Sequence, residues 1–152
     1  RKTRAYDDKM PERRRCEAWL PRSQPCWKLF TTGSVGSQSL VGIPVLKALR
    51  DDPELAPKTL VWPFETSFAA PAPEQPWQVI LAEVYPSILL IKTKTGEIKD
   101  AVQVETIARH LARRDETGDL AGDLAGPDSL SQADRTLIGN EEGWILGAGT
   151  FA

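Results

Sequence analysis

Val79-Ile80-Leu81-Ala82-Glu83-Val84-Tyr85 is the stretch that decides the fold. It is apolar throughout except for one carboxylate and lacks the alternation of a strand with one wet face. Such a run reads as a strand covered on both sides, which belongs to an α/β layer structure. Its nearest counterpart upstream is Leu60-Val61-Trp62-Pro63-Phe64-Glu65, a second buried strand that Pro63 moves towards an edge or a bulge. Pro71, Pro73 and Pro76 lie between the two and argue against a crossover helix. An extended loop reaches an antiparallel neighbour more easily than a parallel one, and the pairing of residues 60–65 with 79–84 stays open.

Helices are expected on either side of these strands. Leu40 to Arg50 reads as one, with Pro44 in its first turn, where a missing N–H costs nothing, and Asp51-Asp52-Pro53 as its stop. Asp100 to Arg113 is the clearest, since Val104, Ile107, Ala108 and Leu111 fall at helical spacing on one face. Ser87 to Lys92 is ambiguous between strand and helix. The Gly-Asp-Leu-Ala duplication over 118–125 reads as a loop or short helix, and Ser131 to Ile138 as a last short helix. Two convincing strands are few, because a lone pair is marginal in water. Either weak strands are hidden or the chain is the later part of a larger α/β domain.

Upstream, residues 1–25 read as a basic, largely irregular arm, although Glu12 to Leu20 has the makings of a short helix. Residues 26–152 read as one α/β domain. Residues 1–28 hold nine Lys and Arg against four Asp and Glu, whereas the whole chain of 152 residues has a net charge of −2. A basic arm on an acidic body suits a phosphate-bearing partner or a solvated connector. Hydrophobic residues make up 41% and charged residues 26%, ordinary for a globular domain and against a disordered chain. No apolar run reaches the roughly 20 residues of a bilayer span, so no membrane partner is expected. Cys16 and Cys26 are too few for a disulfide framework or a four-thiolate zinc site, which fits a cytoplasmic setting.

The candidate chemistry lies with carboxylates in apolar company. A buried carboxylate must be neutralised, paired or metal-bound, which singles out Glu83 and, at the end of its run, Glu65. Ligands gather at the carboxyl ends of strands in open α/β sheets. Glu83 with Asp100 is therefore a candidate pair for Mg²⁺ or Mn²⁺, whose hard charge suits oxygen ligands. Two such ions would serve phosphodiester cleavage. The competing readings are a helix-dipole role for Asp100 and an Arg or Lys partner for Glu65. Of the adjacent Glu141 and Glu142 only one faces inward on a strand, with Glu142 the choice. Gly33, Ser34, Gly36 and Ser37 form a turn whose N–H and hydroxyl groups suit a phosphate if a helix follows. No Gly-Lys-Ser/Thr makes it a P-loop. His110, the single histidine, reads as a boundary residue. Trp62, Trp77 and Trp144 read as core or rim, while Trp27 and Tyr6 interleave with basic residues, a weak nucleic-acid signal.

Seven segments in order carry a resemblance: Trp27-Lys28-Leu29, Gly33-Ser34-Val35-Gly36-Ser37-Gln38, Gly42-Ile43-Pro44-Val45-Leu46, Val61-Trp62-Pro63-Phe64-Glu65, Ala82-Glu83-Val84-Tyr85-Pro86-Ser87, Lys99-Asp100-Ala101 and Glu142-Gly143-Trp144-Ile145-Leu146-Gly147. From about residue 20 to 147 the chain resembles the later half of an uncharacterised bacterial group of ribonuclease-H-like proteins, catalogued as domain of unknown function 429. The resemblance implies a mixed sheet flanked by helices with acids converging on a cleft. Glu83 and Asp100 map onto the family's glutamate and aspartate, and Glu65 sits in its Trp-Pro-Phe-Glu motif. Family members open with a strand bearing an aspartate, and Asp7 and Asp8, in a polar stretch, do not replace it. The sheet is thus expected to lack its N-terminal strands and to need an upstream segment or a partner chain. By resemblance the activity is that of a metal-dependent nuclease or phosphoryl-handling enzyme acting on nucleic acid or a nucleotide. Labels within the group that point to molybdopterin-guanine dinucleotide or cobalamin biosynthesis imply the alternative, a non-catalytic nucleotide- or pterin-binding protein. A third possibility is a structural half-domain.

Overall fold

A computed structural model describes residues 11–20, 22–30, 32–70 and 78–151. The elements in chain order are α1 (Arg15–Trp19), α2 (Gly36–Asp51), a 3₁₀ turn (Ala56–Lys58), β1 (Thr59–Val61), β2 (Val79–Leu81), a second 3₁₀ turn (Pro86–Ile88), α3 (Lys99–Thr117), α4 (Leu120–Ala125), α5 (Gln132–Leu137) and a π turn (Ile138–Glu142). Helix and sheet are mixed, and β1 pairs with β2 in parallel with Thr59, Leu60 and Val61 opposite Val79, Ile80 and Leu81. The strands are shorter than the apolar runs that announced them. After β1 the chain turns through Pro63, with Glu65 N–H donating to Val61 O and Ser67 N–H to Pro63 O. Of the proline-rich connection, residues 71–77 lie outside the described residues.

The half-buried run around Glu83 is flanked on one side by a segment distant in sequence. Beyond β2, Glu83 bridges in parallel to Ile145, and Leu146 N–H donates to Glu83 O at 2.9 Å. The closing segment therefore lies beside the extended chain. It fills the core, in which Cys16, Trp62, Phe68, Leu124, Ile138, Trp144, Ile145, Leu146 and Ala148 are buried together. Edge-on ring packing joins Trp19 to Trp144, Trp144 to Phe68 and Phe68 to Trp62. The Trp62 indole N–H reaches Leu124 O at 2.9 Å, as a buried donor must find an acceptor. Trp62 and Trp144 thus occupy the core positions expected of them, while Trp77 and Tyr6 fall outside the described residues.

Three expectations from the sequence need correction. First, α2 begins at Gly36 rather than Leu40, so Pro44 sits inside the helix and removes one N–H bond instead of opening the first turn. Second, α3 runs to Thr117, ended by Gly118 at φ +80°, and its buried face is rotated. Gln103 and Ile107 are buried, with His110 and Leu111 half-buried, whereas Val104 and Ala108 face out. Gln103 is drawn inward by a 2.6 Å hydrogen bond to Ser87 Oγ, which apolar periodicity cannot register. Third, the boundary expected at residue 25 falls within the packed body, because Arg14, Cys16, Glu17 and Ser23 are all buried. Residues 1–10 of the expected arm lie outside the described residues. Among the described residues no helix is long and apolar enough to cross a membrane.

Candidate functional site: a cleft at the strand ends

Parallel strands place their carboxyl ends side by side, and here those ends open into a cleft of about 1150 Å³. Its walls come from the inner side of α2, from Trp27 and Leu29 before it, and from Val61 to Phe64 and Ile80 to Glu83 after the strands. Trp27 and Phe64 are partly exposed on it, so apolar and aromatic surface dominates the walls.

At one end of the cleft stands a polar cluster centred on Arg14. Its guanidinium grips Glu83 with both Nη atoms, each 2.8 Å from a carboxylate oxygen. Its Nε donates to Glu17 Oε1 at 2.9 Å, and Nη1 also donates to Glu142 O at 3.2 Å. Glu17 turns back on its own helix start, accepting the Arg14 N–H at 3.0 Å and the Cys26 N–H at 2.9 Å. Burial by itself lowers the pKa of Arg14, but Glu83 and Glu17 outweigh it, so the guanidinium is held charged more firmly than usual. The carboxylate that interrupts the apolar run is thus met by a buried arginine, while 46% of its side chain stays exposed to the cleft. Burial pushes the Cys16 thiol up to about 12 and the Cys26 thiol up to about 11. Neither is a thiolate nucleophile at neutral pH.

The remaining candidates are held elsewhere. Glu65 accepts from Arg50 of α2 at 2.8 Å and from the Val61 N–H at 2.7 Å, tying α2 to the outer edge of β1. The Arg50 bond above all, opposed by slight burial and helped by the Val61 N–H, lowers the Glu65 pKa. Asp100 is exposed in the first turn of α3, where a negative charge suits the helix dipole. Glu142 faces inward as chosen, though from a π turn rather than a strand, and takes the Arg15 N–H and Nη1 at 2.8 and 2.9 Å. Gly33 provides a turn at φ +78°, and Ser34 Oγ donates to Leu29 O at 3.2 Å. Gly36 N–H is already bonded to Lys28 O at 3.1 Å. A Cβ on Gly36 would lie 2.7 Å from Cys26 O and 2.9 Å from Lys28 O, so close packing is enough to require glycine there. Ser37 is exposed at the start of α2.

Metal ligation was expected of Glu83 and Asp100 with Glu65 in support. As placed, both Glu83 oxygens serve Arg14, Glu65 serves Arg50 and β1, and Asp100 belongs to another helix. Among the described residues no three His, Cys, Asp or Glu side chains gather as a metal site. Sequence reasoning missed Arg14 and Glu17, although their three-residue spacing beside Cys16, Ala18, Trp19 and Leu20 carries the signature of a short inward-facing helix. No family model, no curated protein and no solved structure matches the chain.

Proposed function

We propose that the chain is the later part of a ribonuclease-H-like domain and that its cleft binds a nucleotide or a pterin-type heterocycle. The observation carrying this reading is an arginine-fixed carboxylate, Glu83, half-exposed in a largely apolar cleft at the carboxyl ends of parallel strands. Pockets for small molecules share that composition: apolar walls with few, well-placed polar groups. A carboxylate has about four acceptor sites, and Arg14 occupies two of those on Glu83. The others are suited to the adjacent N–H and NH₂ donors that guanine and pterin rings share. Trp27 and Phe64 supply ring faces for stacking, while Lys47 and Arg50 on the α2 wall are held by Asp51 and Glu65.

Titration of the tryptophan fluorescence with GMP and with a simple pterin tests this, adenine and cytosine nucleotides serving as controls. Binding of guanine or pterin alone, weakened tenfold or more by Phe64→Ala and by Glu83→Gln, is the expected result. No binding of any of them at millimolar concentration overturns it. The alternative, metal-dependent phosphodiester hydrolysis, needs a further acid from outside the described residues. A rise in melting temperature with Mn²⁺, abolished by Glu83→Gln, would favour that reading.

A further inference from the structure

We infer, resting on the reading of the cleft as a heterocycle site, that it takes its ligand without a phosphate, as a free base, a nucleoside or an unesterified pterin, and turns phosphate esters away. At the polar end of the cleft two arginines are shared among four carboxylates. Arg14 bridges Glu17 and Glu83, and Arg15 bridges Asp134 and Glu142. Arg14 Nη1 joins the two groups through Glu142 O. At formal charges, two guanidiniums against four carboxylates leave an excess of two negative charges. Glu17 is buried, and Glu83 is the member whose carboxylate, 46% exposed, reaches into the cleft. Arg13 beside them is exposed, donates to the Ser23 and Glu17 carbonyls at 3.1 and 3.4 Å, and lies outside the cleft lining.

The α2 wall does not reverse this field. Besides Arg14, the cations that line the cleft among the described residues are Lys47 and Arg50. Lys47 pairs with Asp51 one turn on, and Arg50 with Glu65 at 2.8 Å. The Lys47 pair is exposed and therefore weak enough to open. A phosphate that drew Lys47 away would still leave Asp51 uncompensated on the same face of the helix, since residues four apart are neighbours there. Arg50 is held more firmly, because Glu65 is anchored as well by the Val61 N–H at 2.7 Å. The first turn of α2 also borders the cleft, but its Gly36 and Ser39 N–H groups are already bonded to Lys28 O and Val35 O. A phosphate thus meets a neutralised wall on one side and an acidic end on the other. Below the Debye length, about 10 Å in 0.1 M salt, such repulsion is not screened out. An uncharged ring avoids it, since stacking on Trp27 and Phe64 and donating N–H groups to Glu83 need no counter-charge.

Isothermal titration of the full chain with two matched pairs tests this: guanosine against GMP, and a hydroxymethylpterin against its phosphate ester. The expected result is that the unesterified member of at least one pair binds about fivefold or more tighter than its ester. The gap should shrink by about half or more between about 20 and about 300 mM salt, as screening predicts. Asp51→Asn, which leaves Lys47 uncompensated beside the cleft, should reduce the preference about threefold or more. An ester that binds as tightly as its parent, or more tightly, overturns the inference while the heterocycle reading stands, and would return the phosphate to the first turn of α2. A preference that salt and Asp51→Asn leave untouched overturns it too, since shape rather than charge would then exclude the ester. If no member of either pair binds, the heterocycle reading fails and the inference falls with it.

Discussion

Arg14→Met is the perturbation that most directly tests how the site is held together. The methionine keeps most of the aliphatic stem and removes the guanidinium. Glu17, with 1% of its side chain exposed, would lose the Nε bond and keep only the two backbone N–H donors of Arg14 and Cys26. Breaking a buried pair by deleting one partner costs about 3–5 kcal/mol, because the remaining charge is buried without compensation. Glu83 adds little to this, since its half-exposed carboxylate can be rehydrated. The two surviving N–H bonds also discount the figure, which brings the expected loss to about 3 kcal/mol. Urea unfolding followed by tryptophan fluorescence reads it as a lower midpoint at constant slope. The double variant Arg14→Met, Glu17→Gln should recover at least 1 kcal/mol, as no net charge is then left in the interior. A loss below about 1 kcal/mol, or strict additivity in the cycle, would refute the claim that Arg14 neutralises a buried acid.

Other consequences follow from the same geometry. Gly36→Ala pushes a methyl group into the Cys26 and Lys28 carbonyls and should destabilise by about 1–3 kcal/mol in urea, with α2 losing hydrogen-exchange protection first. Glu65 is depressed below its ordinary pKa by Arg50, so its contribution is complete above the unfolded carboxylate range and is lost as pH falls through the folded value. Because the pair is about one-third exposed on each side, Glu65→Gln should cost only about 0.5 kcal/mol at pH 7 and nothing at strongly acid pH, as melting curves across that range will show. Both thiols should resist iodoacetamide at pH 7.5 in the native protein, and Cys26, the less buried, should be the first to react as the pH is raised.

Much of this arrangement was legible in the sequence where side-chain chemistry has a single outcome. An apolar run with one carboxylate called for a partner for Glu83, which Arg14 supplies, but the cover is partial, since Val79 to Ala82 are half-buried and Glu83 and Val84 exposed. Glu65 likewise ends with the arginine that its rim position suggested. What the pattern withheld was the identity of the Glu83 partner, because a metal ion and a guanidinium both answer a carboxylate's charge. A guanidinium 69 residues upstream leaves no local trace beyond its neighbours. Arg14 was hidden further by standing among Arg13 and Arg15, where composition argues for a solvated arm. Only the intervals between Arg14, Cys16 and Glu17 distinguish an inward face from a charge run, and a helix of five residues is too short for periodicity to be decisive. The parallel pairing of β1 and β2 was illegible for a different reason. Loop composition constrains how far a connection reaches but not its path, so the direction of the pairing cannot be read from it. The outward stripe of α2, with Val41, Val45 and Leu49 exposed, is an apolar face that the described residues do not cover.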